Sequence, residues 1–304
     1  MVKDQSFTVD EASTVLPFLL QKMPSRGRNK VKALLLHRQV SVDGKMVTRH
    51  DHPLSVGQVV TIQAKGFRKE GWAQLDYGLK LLYEDEHLLI VDKPPGLLTI
   101  ATDQEKLRTA YRVLSDYVKD QDANARIFIV HRLDRETSGI LMFAKTEAVK
   151  LRLQQAWTEL VFERQYVAVV EGSVSRQEGL IDTWLKETAT KLMVVTPEGI
   201  GERARTHYHV IKKTNGYTQL AVRLDTGKKN QIRVHMQAIG HPVAGDKRYG
   251  AKTDPLHRLG LHARILAFYH PVSQVELRFE TAIPRVFETL FDRDTKVDTT
   301  LKKR

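Results

Sequence analysis

The sequence predicts an α+β protein: a small N-terminal unit of helices backed by a hairpin, followed by a larger, mostly antiparallel mixed sheet. Three observations carry this. A helical apolar spacing runs into an alternating segment and an Asp43-Gly44 turn near the start, short buried-type strands broken by turn residues recur from Leu79 onward, and no internal repeat is present. With 304 residues, 41% of them hydrophobic, the chain can bury one substantial core and still carry a small second domain. The expected limits are residues 1–63 for the first domain, 64–77 for a linker, 78–292 for the second domain and 293–304 for a basic tail.

In the first domain, Ser25 is placed to cap a helix whose apolar positions are Val31, Leu34 and Leu35. Val40-Ser41-Val42 alternates like a strand before the Asp43-Gly44 turn, and Val59-Val60-Thr61-Ile62 closes the unit. Lys65 to Gln74, KGFRKEGWAQ, is polar and contains glycine, as a linker does. In the second domain, Glu84-Asp85-Glu86 and Pro94-Pro95-Gly96 break two short strands, and Leu107, Tyr111, Leu114 and Tyr117 follow helical spacing. Ile127 to Val130 and Ile140 to Phe143 then enclose the polar loop 131–139. Further strands are expected at Glu163 to Val170 and, after an Asn215-Gly216 turn, through Leu220, Val222 and Leu224. A helix over Lys229 to Ile239 puts Ile232, Met236 and Ile239 on one face and stops at Gly240-His241-Pro242. The strand Val275 to Phe279, a short helix and the tail LKKR complete the chain.

Charge and composition narrow the partners. Lys and Arg total 48 against 36 Asp and Glu, a formal charge of +12, and the sequence pI is near 9.7. Such an excess suits a polyanion, although charge alone does not separate nucleic-acid binding from simple solubility. Between Glu11 and Asp43 there is no acidic residue, while Lys22, Arg26, Arg28, Lys30, Lys32 and Arg38 accumulate. A solvated face normally mixes signs, so this stretch is expected to touch RNA through Arg26, Arg28 and Lys30. Cysteine is absent, which removes disulfides, thiolate metal sites and cysteine nucleophiles. No apolar run approaches the ~20 residues of a membrane span, so neither secretion nor insertion is expected and a cytoplasmic location follows.

The loop VHRLDRETSG holds Asp134 between Arg132 and Arg135. Cations so close favour a charged carboxylate, which can act as a nucleophile. From these residues alone, a surface ion-pair loop remains the competing explanation. A kinase catalytic loop is excluded, because Leu133 and Asp134 stand in the wrong order and no phosphate-binding glycine motif occurs. His207 and His209 lack H-E-x-x-H or a carboxylate at ligand spacing, so no metal site is expected.

HRLDRETSG between two apolar strands resembles the signature of the RluA-type pseudouridine synthases. LLYEDEHLLIVDKPPGLL, ERQYVAVVEG, LDTGKKNQIRVHMQAIGHPVAGDKRYG and GLHARILAF follow in that family's order, together spanning roughly residues 79 to 280. Residues 13 to 63 resemble the S4 RNA-binding domain. The resemblance implies an enzyme that isomerises uridine in structured RNA to pseudouridine. Ribosomal RNA is the expected partner and transfer RNA the alternative. It implies Asp134 as the catalytic aspartate, Tyr166 as the aromatic against the target base and Arg233 as the partner of Asp134. Ile232 would line the pocket, Arg132 would fill the space the uridine vacates, and His131 would belong to the same substrate-binding surface. No cofactor is implied, since isomerisation balances atoms by itself, and a monomer is expected. The family often has TGRTHQIR where this chain has Thr226-Gly227-Lys228-Lys229-Asn230-Gln231-Ile232-Arg233, a change that bears on substrate contact. The rival function is a non-catalytic RNA-binding or ribosome-assembly protein on the same fold. A generic carboxylate hydrolase would need a second acid or base that is not recognisable.

Overall fold

The computed structural model describes residues 5–36, 39–47, 49–62 and 73–292. They form two compact units: the residues up to 62 together with Lys119–Ala123, and residues 73–118 with 124–292. The first contains β1 (Gln5–Thr8), β2 (Ser13–Thr14), α1 (Val15–Lys22), α2 (Arg28–Leu36), β3 (Val40–Val42), β4 (Lys45–Met46), β5 (Pro53–Leu54) and β6 (Val59–Ile62). Its four-stranded sheet has the order β1-β6-β3-β4. Val31, Leu34 and Leu35 of α2 bury against Val15, Leu19, Val40, Val60 and Ile62, as their helical spacing predicts.

The hairpin between β3 and β4 turns on Asp43 (φ 48°) and Gly44 (φ 76°), the two left-handed positions of a tight two-residue turn. Asp43 also fixes that turn to β6, its Oδ1 accepting the Val59 N–H at 2.8 Å. One expectation changes here. The Gly27 carbonyl accepts the Val31 N–H at 3.2 Å, so α2 begins after Gly27 and Ser25 is not its cap. The strand β1 pairs Gln5–Thr8 with Val59–Ile62, although the mostly exposed QSFT carries no strand pattern.

The second unit contains β7 (Ala73–Gln74), β8 (Lys80–Glu84), β9 (Leu88–Lys93), α3 (Ala110–Lys119), β10 (Phe128–Ile129), β11 (Ser138–Ala144), α4 (Glu147–Gln155) and α5 (Trp157–Leu160). It continues through β12 (Val161–Glu171), β13 (Glu178–Glu187), β14 (Met193–Thr196), β15 (Glu202–Thr214), β16 (Tyr217–Leu224) and α6 (Gln231–Ala238). β17 (Leu261–Tyr269), β18 (Glu276–Glu280) and α7 (Arg285–Asp292) complete it. The sheet runs β14-β13-β15-β16-β12-β17-β11-β9-β8-β7, with β10 beside β11 and β18 beside β17. All neighbours pair antiparallel except β11 with β17. The mixed, mostly antiparallel α+β architecture is the predicted one.

Because Ala73 and Gln74 pair with Leu81 and Lys80, the end of the expected linker is already part of this sheet. The strand β11 is buried along its whole length: Leu141 and Phe143 face one core, covered by α3, and Ile140 and Met142 face another, covered by α4. A continuous apolar run is what such a doubly covered strand requires. Helix α3 forms where expected but turns a different face inward. Ala110, Val113, Leu114 and Val118 are buried, while Leu107 is 67% exposed and precedes the helix. The tail at residues 301–304 lies outside the described residues, as does most of KGFRKEGWAQ.

Candidate active site

Asp134 lies in the loop between β10 and β11, and buried groups hold that loop from behind. The Lys93 Nζ donates to the carbonyls of Pro94, Leu97 and Arg135 at 2.9, 2.8 and 3.0 Å. Burial pulls its pKa down to about 7, yet three oxygens spend the three donors of an ammonium. The Gly96 N–H donates to the same Arg135 carbonyl at 2.9 Å. Thr99 Oγ1 donates to the Leu133 carbonyl at 2.8 Å, so the Pro-Pro-Gly turn and its flanks grip both sides of Asp134. Gly139, φ 111°, lets β11 lie against β17: a Cβ there would sit 2.0 Å from the Ala263 carbonyl oxygen. Ser138 bonds His262 Nδ1 at 2.8 Å and accepts from Arg258 at 2.7 Å. The Thr137 hydroxyl is buried without a hydrogen-bond partner among the described residues.

Arg233 reaches the loop from α6. Its NH1 donates to Asp134 Oδ2 at 3.1 Å, and its Nε and NH2 grip Asp246 at 2.6 and 2.8 Å. The Asp246 side chain is only 2% exposed, and the guanidinium lies 4.7 Å from the centre of the Tyr249 ring. Burial opposes the charge on Arg233, but Asp246 and then Asp134 outweigh it and raise its pKa. Fork geometry of this kind fixes orientation as well as charge.

The turn into α6 is built by Gln231, whose Nε2 donates to the Arg205 carbonyl at 3.0 Å and to Thr206 Oγ1 at 2.9 Å. Its Oε1 accepts from the Lys228 N–H at 2.9 Å and from Thr226 Oγ1 at 2.8 Å. Asn230, φ 52°, is left-handed, so the helix starts at Gln231, two residues later than the spacing predicts. Asn230 Nδ2 donates to the Tyr249 hydroxyl at 3.0 Å, and its Oδ1 accepts from Arg233 at 3.2 Å.

Tyr166 sits on β12, opposite Val222 of β16 and Ala263 of β17, immediately after a register shift. Burial raises the pKa of its hydroxyl, Arg164 opposes, and Asp134 adds to the rise. The ring stays neutral beside the carboxylate. A cavity of about 440 Å³ opens here, lined among others by His131, Arg132, Asp134, Trp157, Arg164 and Tyr166. A smaller one of about 80 Å³ adjoins it, and there Ile232 and Arg233 meet Asp134 and Tyr166. The structure therefore brings together Asp134, Tyr166, Arg233, Arg132, Ile232 and His131. Arg132 is exposed, while Ile232 is 4% exposed. His131 packs on Trp157 with ring centres 5.2 Å apart, and its Nε2 accepts the Met142 N–H at 3.1 Å. Burial, and then the charge of Arg164, push its pKa down to about 4, so the ring is neutral.

Asp246, Arg164 and Trp157 were not singled out in the sequence. Asp246 stands inside HPVAGDKRYG, but nothing local marks it as the anchor of an arginine 13 positions earlier. Lys228 and Lys229 line the larger cavity and are ion-paired, Lys228 with Glu202 and Lys229 with Glu187 at 2.5 Å. His207, half-exposed on β15, shares a hydrogen bond with Asp225 at 2.8 Å. Arg26, Arg28 and Lys30 belong to the first unit, where Arg28 and Lys30 are exposed and Arg26 is half-exposed. Lys22 of that basic stretch is neutralised by Asp10 at 2.5 Å, a counter-charge from just outside the interval free of acids.

Residues 87–238 match the family described as RNA pseudouridylate synthase, and that span holds Asp134, Tyr166 and Arg233. The chain belongs to this family. It is similar to the ribosomal large subunit pseudouridine synthase D of Yersinia pestis, 31% identical over 88% of this chain and 86% of that one. A Bacillus subtilis protein described as an uncharacterized RNA pseudouridine synthase is 34% identical over 68% of this chain and 73% of its own. In fold, the synthase is similar to human RNA pseudouridylate synthase domain containing 4, with a TM-score of 0.58 at 24% identity over 71% of this chain and 92% of that one. The synthase is thus an isomerase that converts uridine in RNA to pseudouridine. Among its described residues no group of three or more His, Cys, Asp or Glu could hold a metal ion, and no helix is long and apolar enough to cross a membrane.

Proposed function

We propose that this synthase modifies uridine in structured ribosomal RNA of the large subunit, with Asp134 as its catalytic carboxylate. The observation that carries the roles is Arg233, fixed by buried Asp246 and donating through NH1 to Asp134 inside a cavity walled by Tyr166. The reaction breaks N1–C1′, turns the uracil and joins C5 to C1′; N1 gains a proton and C5 releases its hydrogen to solvent. Asp134 acts at the sugar, by attack on C1′ or by removing a sugar proton to give a glycal. Both routes need one carboxylate held in a fixed place and no activated water. Arg233 holds it there, and Tyr166 and Ile232 wall the base away from water. Extruding a paired or stacked base costs a few kcal/mol, which the exposed Arg132 offsets by filling the vacated space.

The first unit serves as an S4-like RNA-binding domain through Arg26, Arg28 and Lys30. The large-subunit assignment is supported by similarity to the ribosomal large subunit pseudouridine synthases D of Yersinia pestis and Escherichia coli, both matched over 88% of this chain. The enzyme works in the cytoplasm, where such RNA is found, and as a monomer. Carbodiimide mapping of ribosomal and transfer RNA tests the reading in cells with the wild-type chain, without it, and with Asp134→Asn. At least one large-subunit uridine should lose its modification in both altered strains. An unchanged map in both would overturn the ribosomal assignment, and a loss confined to transfer RNA would move the substrate there.

A further inference from the structure

Arg164 faces the same cavity as Asp134 and forms no ion pair among the described residues. Its NH2 donates to the carbonyls of Leu224 and Asp225 at 3.1 and 3.0 Å, and its guanidinium lies 5.8 Å from the centre of the Trp157 ring. The nearby carboxylate of Asp225 is already committed to His207 at 2.8 Å, Arg223 at 3.0 Å and Arg205 at 3.7 Å. Nε and NH1 make no protein hydrogen bond among the described residues. NH1 lies against Gly227, where an added Cβ would come within 2.9 Å of it and push the guanidinium aside. Arg164 is half-buried, and the price of withdrawing its charge from water shows in a pKa lowered by burial. A cation kept in a cavity without a counter-charge is stabilised when an anion enters.

Resting on the assignment of this cavity to a flipped uridine, we propose that Arg164 binds a phosphate of that nucleotide, through the NH1 and Nε edge that Gly227 leaves clear. Lys228 and Lys229 flank the same cavity, and in the free protein Glu202 and Glu187 hold them. An incoming phosphate competes with these carboxylates for the lysines. The anion separates this contact from one to a uracil carbonyl, which is neutral and leaves the arginine charge uncompensated.

The test is calorimetric titration of the full-length chain with uridine and with uridine 3′,5′-bisphosphate. The wild type should prefer the bisphosphate by about tenfold or more, the size expected of charge-assisted hydrogen bonds. Arg164→Gln should erase most of that preference and leave uridine affinity in place, while Arg164→Lys keeps part of it. Gly227→Ala, which retains every charge but crowds NH1, should also reduce the preference, and it carries the test if Arg164→Gln does not fold. A preference that survives both Arg164→Gln and Gly227→Ala overturns the proposal. So does equal weakening of both ligands, the result of a uracil contact, or equal binding of both by the wild type. The nucleotides belong to no particular RNA, so a failed large-subunit assignment leaves this result standing, and a failed phosphate seat leaves the RNA map unchanged.

Discussion

Two arginines line the adjoining cavities that share Asp134 and Tyr166, and they are treated in opposite ways. Arg233 is clamped by two carboxylates, one almost fully buried, whereas Arg164 has two backbone carbonyls, an indole face and no counter-charge. The first arrangement is complete in the free protein and presents a pre-aligned carboxylate; the second is complete only when an anion arrives. On the proposed reading, chemistry and substrate capture are divided between two adjoining cavities.

The largest expected effect breaks the comparison at its stable end. Arg233→Met leaves Asp246 buried without its partner and should lower unfolding free energy by about 3–5 kcal/mol. Arg164→Met removes a cation that no protein carboxylate balances, and should change stability by less than about 1 kcal/mol in the absence of RNA. Urea unfolding of the two variants beside wild type measures both, and similar losses would erase the distinction.

Acid acts on the Arg164 side. His131 carries a folded pKa of about 4 against 6.5 in the unfolded chain, so the unfolded state binds more protons between those values. Its contribution is complete above pH 6.5 and is lost as pH falls through 4. Buried His235 and His262 are depressed to about 4 by the same cause and steepen the fall. Between pH 7 and 4.5, His131→Gln should lose about 2 kcal/mol less stability than wild type. Equal losses would show that His131 is not held neutral.

The smallest effect lies in the other unit. Replacing Arg26, Arg28 and Lys30 by Gln should shrink the salt slope of RNA binding by up to about 0.7–0.9 per phosphate contact removed and leave single-turnover rates at saturating enzyme unchanged. An unaltered slope would make these residues an ordinary solvated face.

Much of this was legible in the chain. The run Ile140 to Phe143 announced a strand buried on both faces, and Asp43-Gly44 announced its hairpin, because each pattern is local and strong. Asp134, Tyr166 and Arg233 were found through resemblance, and the fold brings them to adjoining cavities although 66 residues lie between the tyrosine and the arginine. Other features had no local signal. The role of Asp246 depends on which buried arginine the fold places beside it, and that of Arg164 on which carboxylates other cations have already taken. The strand β1 is polar and exists because β6 offers a free edge, and the inward face of α3 is chosen by the core it covers.

The central claim is that the Asp134 carboxylate, held by Arg233, drives the isomerisation. It is tested most directly by single-turnover release of tritium from RNA labelled at C5 of uridine, since joining C5 to C1′ expels that hydrogen. Wild type should release it, and Asp134→Asn, which keeps the shape of the side chain, should be slower by at least roughly 10⁴-fold, as when a catalytic nucleophile is removed. Release by Asp134→Asn at a rate near that of wild type would contradict the account.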